Sequence, residues 1–94
     1  MRPELAPYVV EIRRSAQKQL DRLSDEDASR IEEALLRMAE LGIGDVKDIG
    51  DDYAGRYRMR VGSWRVYFNL DGNVIDVALF EKRGEAYKRR ARNK

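Results

Sequence analysis

The sequence predicts an α+β domain with the order β-α-α-β-β-β-α. It would be a small, antiparallel-rich sheet with a helical hairpin on one face and an open basic face. Three observations predict this. Apolar residues recur at helical spacing between positions 16 and 41. They alternate with polar residues in three runs between 56 and 82. The turns joining those runs are too short for crossover connections, so the three strands must be antiparallel. A chain of 94 residues is expected to form one domain, 1–94, with a modest core.

Each element has a local reason. Residues 5–13 (LAPYVVEIR) read as a first strand, with Tyr8, Val10 and Ile12 on one side and Pro7 at its start. Ser15 is placed to cap a short helix over 16–23, with Ala16, Leu20 and Leu23 on one face. Ser24 and Asp27 make a capping-box-like start for a helix over 25–41. Ile31, Ala34, Leu35, Met38 and Leu41 form its apolar stripe, and Gly42 occupies the C-cap position. Residues 42–55, rich in glycine and aspartate, read as a loop. Asp45, Asp48, Asp51 and Asp52 lack the spacing of a calcium loop, so a solvated loop is expected. Strands are predicted at 56–61, 64–70 and 73–82, joined by Gly62-Ser63 and by an Asp71-Gly72 hairpin turn. Residues 84–92 can form a short basic helix.

Composition narrows the chemistry. There is no cysteine, so disulfides and thiolate metal sites are excluded, and no histidine, the usual acid–base group near neutral pH. No metal and no cofactor is expected. No apolar run approaches the roughly 20 residues that span a bilayer, and residues 1–10 lack the apolar stretch of a signal peptide; a cytoplasmic protein without a membrane partner is the expectation. Residues 1–52 carry 8 Lys+Arg against 13 Asp+Glu, a balance of −5. Residues 53–94 carry 11 against 4, a balance of +7, which points to a polyanionic partner for the second half.

That half places its cations in a pattern. Tyr57, Met59 and Val61 alternate with Arg58 and Arg60, and Trp64, Val66, Phe68 and Leu70 alternate with Arg65, Tyr67 and Asn69. Arg83 follows the last strand and Tyr87 lies in the final helix. Such a surface suits phosphate, and RNA in particular. The competing reading of Arg58 and Arg60 is plain protection of a sheet edge, that of Arg65 and Arg83 is structural ion pairing, and that of Tyr87 is packing of its helix on the sheet.

The string YRMRVGSWRVYF, an Asp-Gly hairpin, a hydrophobic strand and KRGEAYKR together resemble the RelE/ParE superfamily of toxins from bacterial toxin–antitoxin pairs. The likeness runs the length of the chain and is sharpest over 57–87. It is closer to the RelE ribonuclease branch than to the gyrase-poisoning ParE branch. The resemblance implies a ribosome-dependent, metal-independent endoribonuclease that cuts mRNA and stops translation. It places the catalytic positions at Arg58, Arg60, Arg65, Arg83 and Tyr87. It implies a cognate antitoxin as partner, the ribosome and mRNA as targets, and operator DNA contacted only through the antitoxin. Tyr67 and Lys82 are further RNA-binding candidates, and Lys88, Arg89 and Arg90, with Arg92 and Lys94 beyond, would attract ribosomal RNA diffusely.

The residues both suit and constrain that chemistry. Arginine pairs with phosphate oxygens through a planar fork, and fixed cations stabilise a phosphoryl group gaining charge. Tyr87 either stacks on a base or orients the 2′-OH or phosphate through its hydroxyl. Arginine cannot be deprotonated in a protein, so Arg58 and Arg60 are not general bases where some relatives carry lysine. Either catalysis is mainly electrostatic with alignment from the ribosome, or Glu81, Glu85 or Lys82 supplies a titrating group. The two glutamates also read as ion-pair partners of neighbouring cations. Two other readings of the same pattern are a toxin that binds and inhibits gyrase, and a module that only binds its antitoxin.

Overall fold

A computed structural model describes residues 3–50 and 53–83. After a 3-10 turn at Pro3–Leu5 come β1 (Val9–Ile12), α1 (Arg14–Asp21), α2 (Asp25–Leu41), β2 (Val46–Asp48), β3 (Tyr57–Val61), β4 (Trp64–Asp71) and β5 (Val74–Lys82). The five strands make one sheet in the order β1-β5-β4-β3-β2. The meander β3-β4-β5 is antiparallel, and β1 lies parallel to β5 at one edge. The two helices cover one face. Ala16 and Leu20 of α1 and Ile31, Leu35 and Met38 of α2 form one core with Met59, Val66, Phe68, Ile75, Val77 and Phe80 of the sheet. Among the described residues no helix is long and apolar enough to cross a membrane.

Capping explains why α2 starts and stops where it does. The Ser24 hydroxyl accepts the Asp27 N–H at 3.2 Å, and three acidic residues of the first turn face the positive end of the helix dipole. Gly42 ends the helix in the left-handed conformation at φ 67°, and its N–H donates to Met38 O.

Several boundaries differ from the sequence expectation, each for a physical reason. The first strand is confined to Val9–Ile12, because the chain ahead of it turns at Pro3–Leu5. Helix α1 begins at Arg14 with Arg13 as its N-cap and no side-chain cap, so Ser15 lies inside the helix instead of capping it. The stripe of α2 ends on Met38 and Ala39, and Leu41 is exposed. The supposed loop 42–55 contains β2, whose three residues pair with Tyr57–Met59; a strand that short shows no alternation. The β4–β5 turn is Gly72-Asn73, since Asp71 already pairs with Val74, and Gly72 takes the positive φ of 59° that the turn requires. The expected helix over 84–92 lies outside the described residues.

One irregularity shapes the other face of the sheet. The β4–β5 register shifts between Tyr67 and Phe68: Tyr67 pairs with Leu79, whereas Phe68 pairs with Val77. Ala78 is the extra residue, and the bulge reverses the alternation of β5 beyond it. Phe80 therefore enters the core, and Glu81 turns to the face opposite the helices. Gln19 of α1 holds this end of β5: its Nε2 donates to Phe80 O at 2.8 Å, and Phe80 N–H donates to its Oε1 at 3.0 Å. Those two backbone groups lie past Ile12, where the pairing of β1 with β5 ends.

Candidate nucleic-acid interface

Strand alternation brings Arg58, Arg60 and Arg65 to the face away from the helices. Arg60 is the direct cross-strand partner of Arg65, and Arg65 is in turn opposite Glu81; one strand step away, Arg58, Tyr67 and Leu79 form the next row. Like charges placed directly opposite each other destabilise a sheet, so the Arg60–Arg65 pair costs the fold something. Arg83 follows immediately after β5. Its N–H donates to Ser63 O at 2.7 Å, which holds it against the Gly62-Ser63 turn that leads into β4.

Among the described residues these four arginines make no side-chain hydrogen bond or ion pair. Arg58 Nε is in addition buried without an acceptor. Three other arginines are paired. Arg13 grips Asp76 with two bonds of 3.1 and 2.8 Å, and this carboxylate raises the Arg13 pKa. Arg30 pairs with Glu26 at 2.9 Å and Arg56 with Asp48 at 3.3 Å. Among the described residues Arg14, Arg22 and Arg37, on and beside the helices, likewise show no partner; what sets Arg58, Arg60, Arg65 and Arg83 apart is that they share or border a single face, where they can offer their donors to a polyanion together.

A buried polar cluster lies within that face. Glu81 is 2% exposed and Tyr67 0%. The Tyr53 hydroxyl, reaching in from the loop between β2 and β3, donates to Glu81 Oε2, and the Tyr67 hydroxyl lies 3.4 Å from Oε1. The Tyr53 and Tyr67 rings meet edge to face, with centroids 5.0 Å apart and planes at 70°. Tyr67 therefore does not serve as an exposed stacking platform, although it has the arginine parity: Tyr53 sits against it. The face is basic, but it is not bare at its centre.

The remaining sequence candidates fall elsewhere. Lys82 is exposed and in register with Trp64, whose ring packs on the core, so its parity is that of the helical side and not of the arginines. Tyr87, Lys88, Arg89 and Arg90 lie outside the described residues, as do Glu85, Arg92 and Lys94. Asp51 and Asp52 do too. Among the described residues no group of three or more Asp, Glu, His or Cys side chains is gathered to hold a metal. That Tyr53 packs within this face was not legible in the sequence: it lies in a glycine- and aspartate-rich loop with no alternation to give it a side.

No protein-family model matches the sequence, and no curated protein matches it significantly. Solved structures do. The chain is similar to the toxin–antitoxin complex RelBE2 from Mycobacterium tuberculosis, with a TM-score of 0.74 and 18% identity over 87% of this chain and 98% of that one. It is similar to the archaeal RelE-RelB complex from Pyrococcus horikoshii OT3, at 0.68 and 25% over 83% and 97%. It is also similar to the RelB-RelE antitoxin-toxin complex from Methanococcus jannaschii, at 0.66 and 21% over 83% and 95%. With nearly the whole of each of these chains matched, the protein has a RelE-like toxin fold.

Proposed function

We propose that this chain is the toxin of a type II toxin–antitoxin pair, and that it is a ribosome-dependent, metal-independent endoribonuclease that cleaves mRNA. The observation that carries this reading is the set of four arginines on or beside one face, none paired with a carboxylate among the described residues, two of them directly opposed across the β3–β4 ladder. A phosphate seated there would turn their mutual repulsion into attraction.

In the proposed reaction the 2′-oxygen of one nucleotide attacks the adjacent phosphorus in line. A bond from O2′ to phosphorus forms and the bond to O5′ breaks, leaving a 2′,3′-cyclic phosphate and a 5′-hydroxyl. The proton of the 2′-OH leaves to water or a titrating group, and the 5′-oxygen takes one up. Arg65 and Arg83 bind the phosphoryl oxygens as their charge grows, with Arg58 and Arg60 beside them. Tyr87 stacks on a base or orients the phosphate, and the ribosome supplies alignment of the mRNA. Lys88, Arg89 and Arg90 add salt-dependent attraction to ribosomal RNA.

The partner in this reading is a cognate antitoxin, which would carry the complex to operator DNA. The similar solved structures are complexes of this kind. A groove of about 350 Å³ between α2 and β3 offers a seat for a partner segment, with Ala34, Ile43, Met59 and Val61 as its apolar lining and Arg30, Glu33, Arg37, Asp45 and Arg60 as its charged lining. Leu36 and Leu41 of α2 are exposed apolar residues of the same helix.

Inducible expression followed by mapping of mRNA 5′ ends tests the reading. The expected result is new 5′ ends inside translated frames, lost with Arg65→Ala. Intact mRNA together with induction of the DNA-damage response would contradict it and favour gyrase as the target.

A further inference from the structure

We propose that Lys47 is the proton donor of the reaction, giving its ammonium proton to the 5′-oxygen as that oxygen leaves phosphorus. The proposal deepens the ribonuclease reading and rests on it. In-line attack expels an alkoxide, which needs a proton as its bond to phosphorus breaks. The arginines do not supply one, because a guanidinium keeps its proton in a protein. A lysine ammonium can release a proton and regain it from water.

Lys47 falls in the stretch that the sequence reads as a loop, yet it belongs to the arginine face. It is the middle residue of β2 and pairs with Arg58, whereas its neighbour Val46 pairs with Met59 and packs against the core. Alternation therefore turns Lys47 to the side of Arg58, Arg60 and Arg65. Arg60 is its diagonal neighbour, at the roughly 7–8 Å that long side chains bridge. Lys47 is exposed, β2 is the edge of the sheet, and among the described residues Lys47 has no ion-pair or hydrogen-bond partner. Its ammonium can thus reach a phosphate seated at Arg60 and Arg65. Lys47 and Arg58 are also a second pair of like charges set directly opposite each other, in the row next to Arg60 and Arg65. Two such pairs in successive rows oppose folding and favour an anion over both.

The other titratable side chains that the strands offer are placed elsewhere or engaged. Glu81 and Tyr67 are buried, and the Glu81 carboxylate is held by tyrosine hydroxyls. Lys82 has the parity of the helical side. Asp76 is gripped by Arg13. Glu11 shares the row of Asp76 and Asn69, and Asp71 lies beyond that row, toward the end of the sheet away from Arg60 and Arg65. In the proposed step the electron pair of the bond between phosphorus and O5′ stays on O5′. That oxygen takes the Lys47 proton and leaves as a 5′-hydroxyl. The neutral amine regains a proton from water, which has received the proton of the 2′-OH.

The test measures single-turnover cleavage by the full chain on programmed ribosomes, with two mRNAs that differ in one atom. One has the ordinary 5′-oxygen at the cut; the other has a bridging sulfur there, which leaves as a thiolate and needs no proton. On the ordinary mRNA, Lys47→Ala and Lys47→Arg should each cut about 10²–10⁴-fold more slowly than wild type, the range for a general acid. On the sulfur-bridged mRNA both should cut at the wild-type rate, whereas Arg65→Ala, which loses a phosphate contact, should stay slow on both. Lys47→Arg keeps the charge, so its binding to the programmed ribosome should be unchanged, and thermal midpoints should show both variants folded. Wild-type cutting of the ordinary mRNA by either Lys47 variant would overturn the donor role. So would an equal loss on the two mRNAs. In both cases a wild-type chain that cuts leaves the ribonuclease reading standing; if the wild-type chain cuts neither mRNA, both fail.

Discussion

Arg60 and Arg65 sit directly opposite each other, and among the described residues no carboxylate binds either guanidinium. Opposed like charges cost about 0.2–1 kcal/mol in a sheet, a penalty that an anion would remove. Replacing one of them should therefore separate stability from activity. Arg65→Ala should lower cleavage by about 10²–10³-fold, the usual effect of removing one donor to a developing oxyanion, while the thermal midpoint stays level or rises. A parallel fall in both would mean that Arg65 is a structural residue. The side taken by Arg58, Arg60 and Arg65 was readable from alternation alone. The burial of Tyr67 was not, because alternation tells which way a side chain points and not what lies over it. The covering residue, Tyr53, comes from a loop whose sequence carries no periodic signal.

At the scale of elements, the β2–β3 loop is the part that a sequence reads least well, and its Tyr53 packs on Tyr67 and Glu81 within the arginine face. Gly55 lets it lie against β4: a Cβ there would come within 2.9 Å of both Phe68 N and Phe68 O. Gly55→Ala should displace the loop or the strand and destabilise the fold by about 1–3 kcal/mol, the range seen for overpacking, and it should weaken the Tyr53–Glu81 bond with it. Denaturant unfolding measures the first effect; an unchanged midpoint would contradict the close approach. The start of the same loop is held by Asp48, whose carboxylate is kept below the ordinary value of 3.8 mainly by the Gly50 N–H; desolvation opposes this, and Arg56 adds a weaker lowering. A lowered folded-state pKa means that its contribution is present above the ordinary value and is lost as pH falls through the lowered one. An NMR titration should show Asp48 protonating below pH 3.8, with the Gly50 amide shifting in step. Protonation at or above that value would contradict the anchor. The helices and the three long strands were legible because their patterns run for two turns or four residues and more. The bulge at Ala78 was hidden, since one added residue leaves composition and hydrophobicity unchanged while reversing every side chain after it.

Across the whole molecule, the split of charge and the layering of the fold work together. The helical half carries the acidic excess, and the meander presents its arginines on the face away from the helices. The central claim is that this face cuts mRNA on the ribosome by attack of a 2′-oxygen. It is tested most directly by incubating the purified chain with programmed ribosomes and determining the ends of the product. The account predicts a single cut that leaves a 2′,3′-cyclic phosphate and a 5′-hydroxyl, abolished when the nucleotide before the cut is 2′-deoxy. Cleavage that persists on the 2′-deoxy substrate, or mRNA that remains intact, would contradict it.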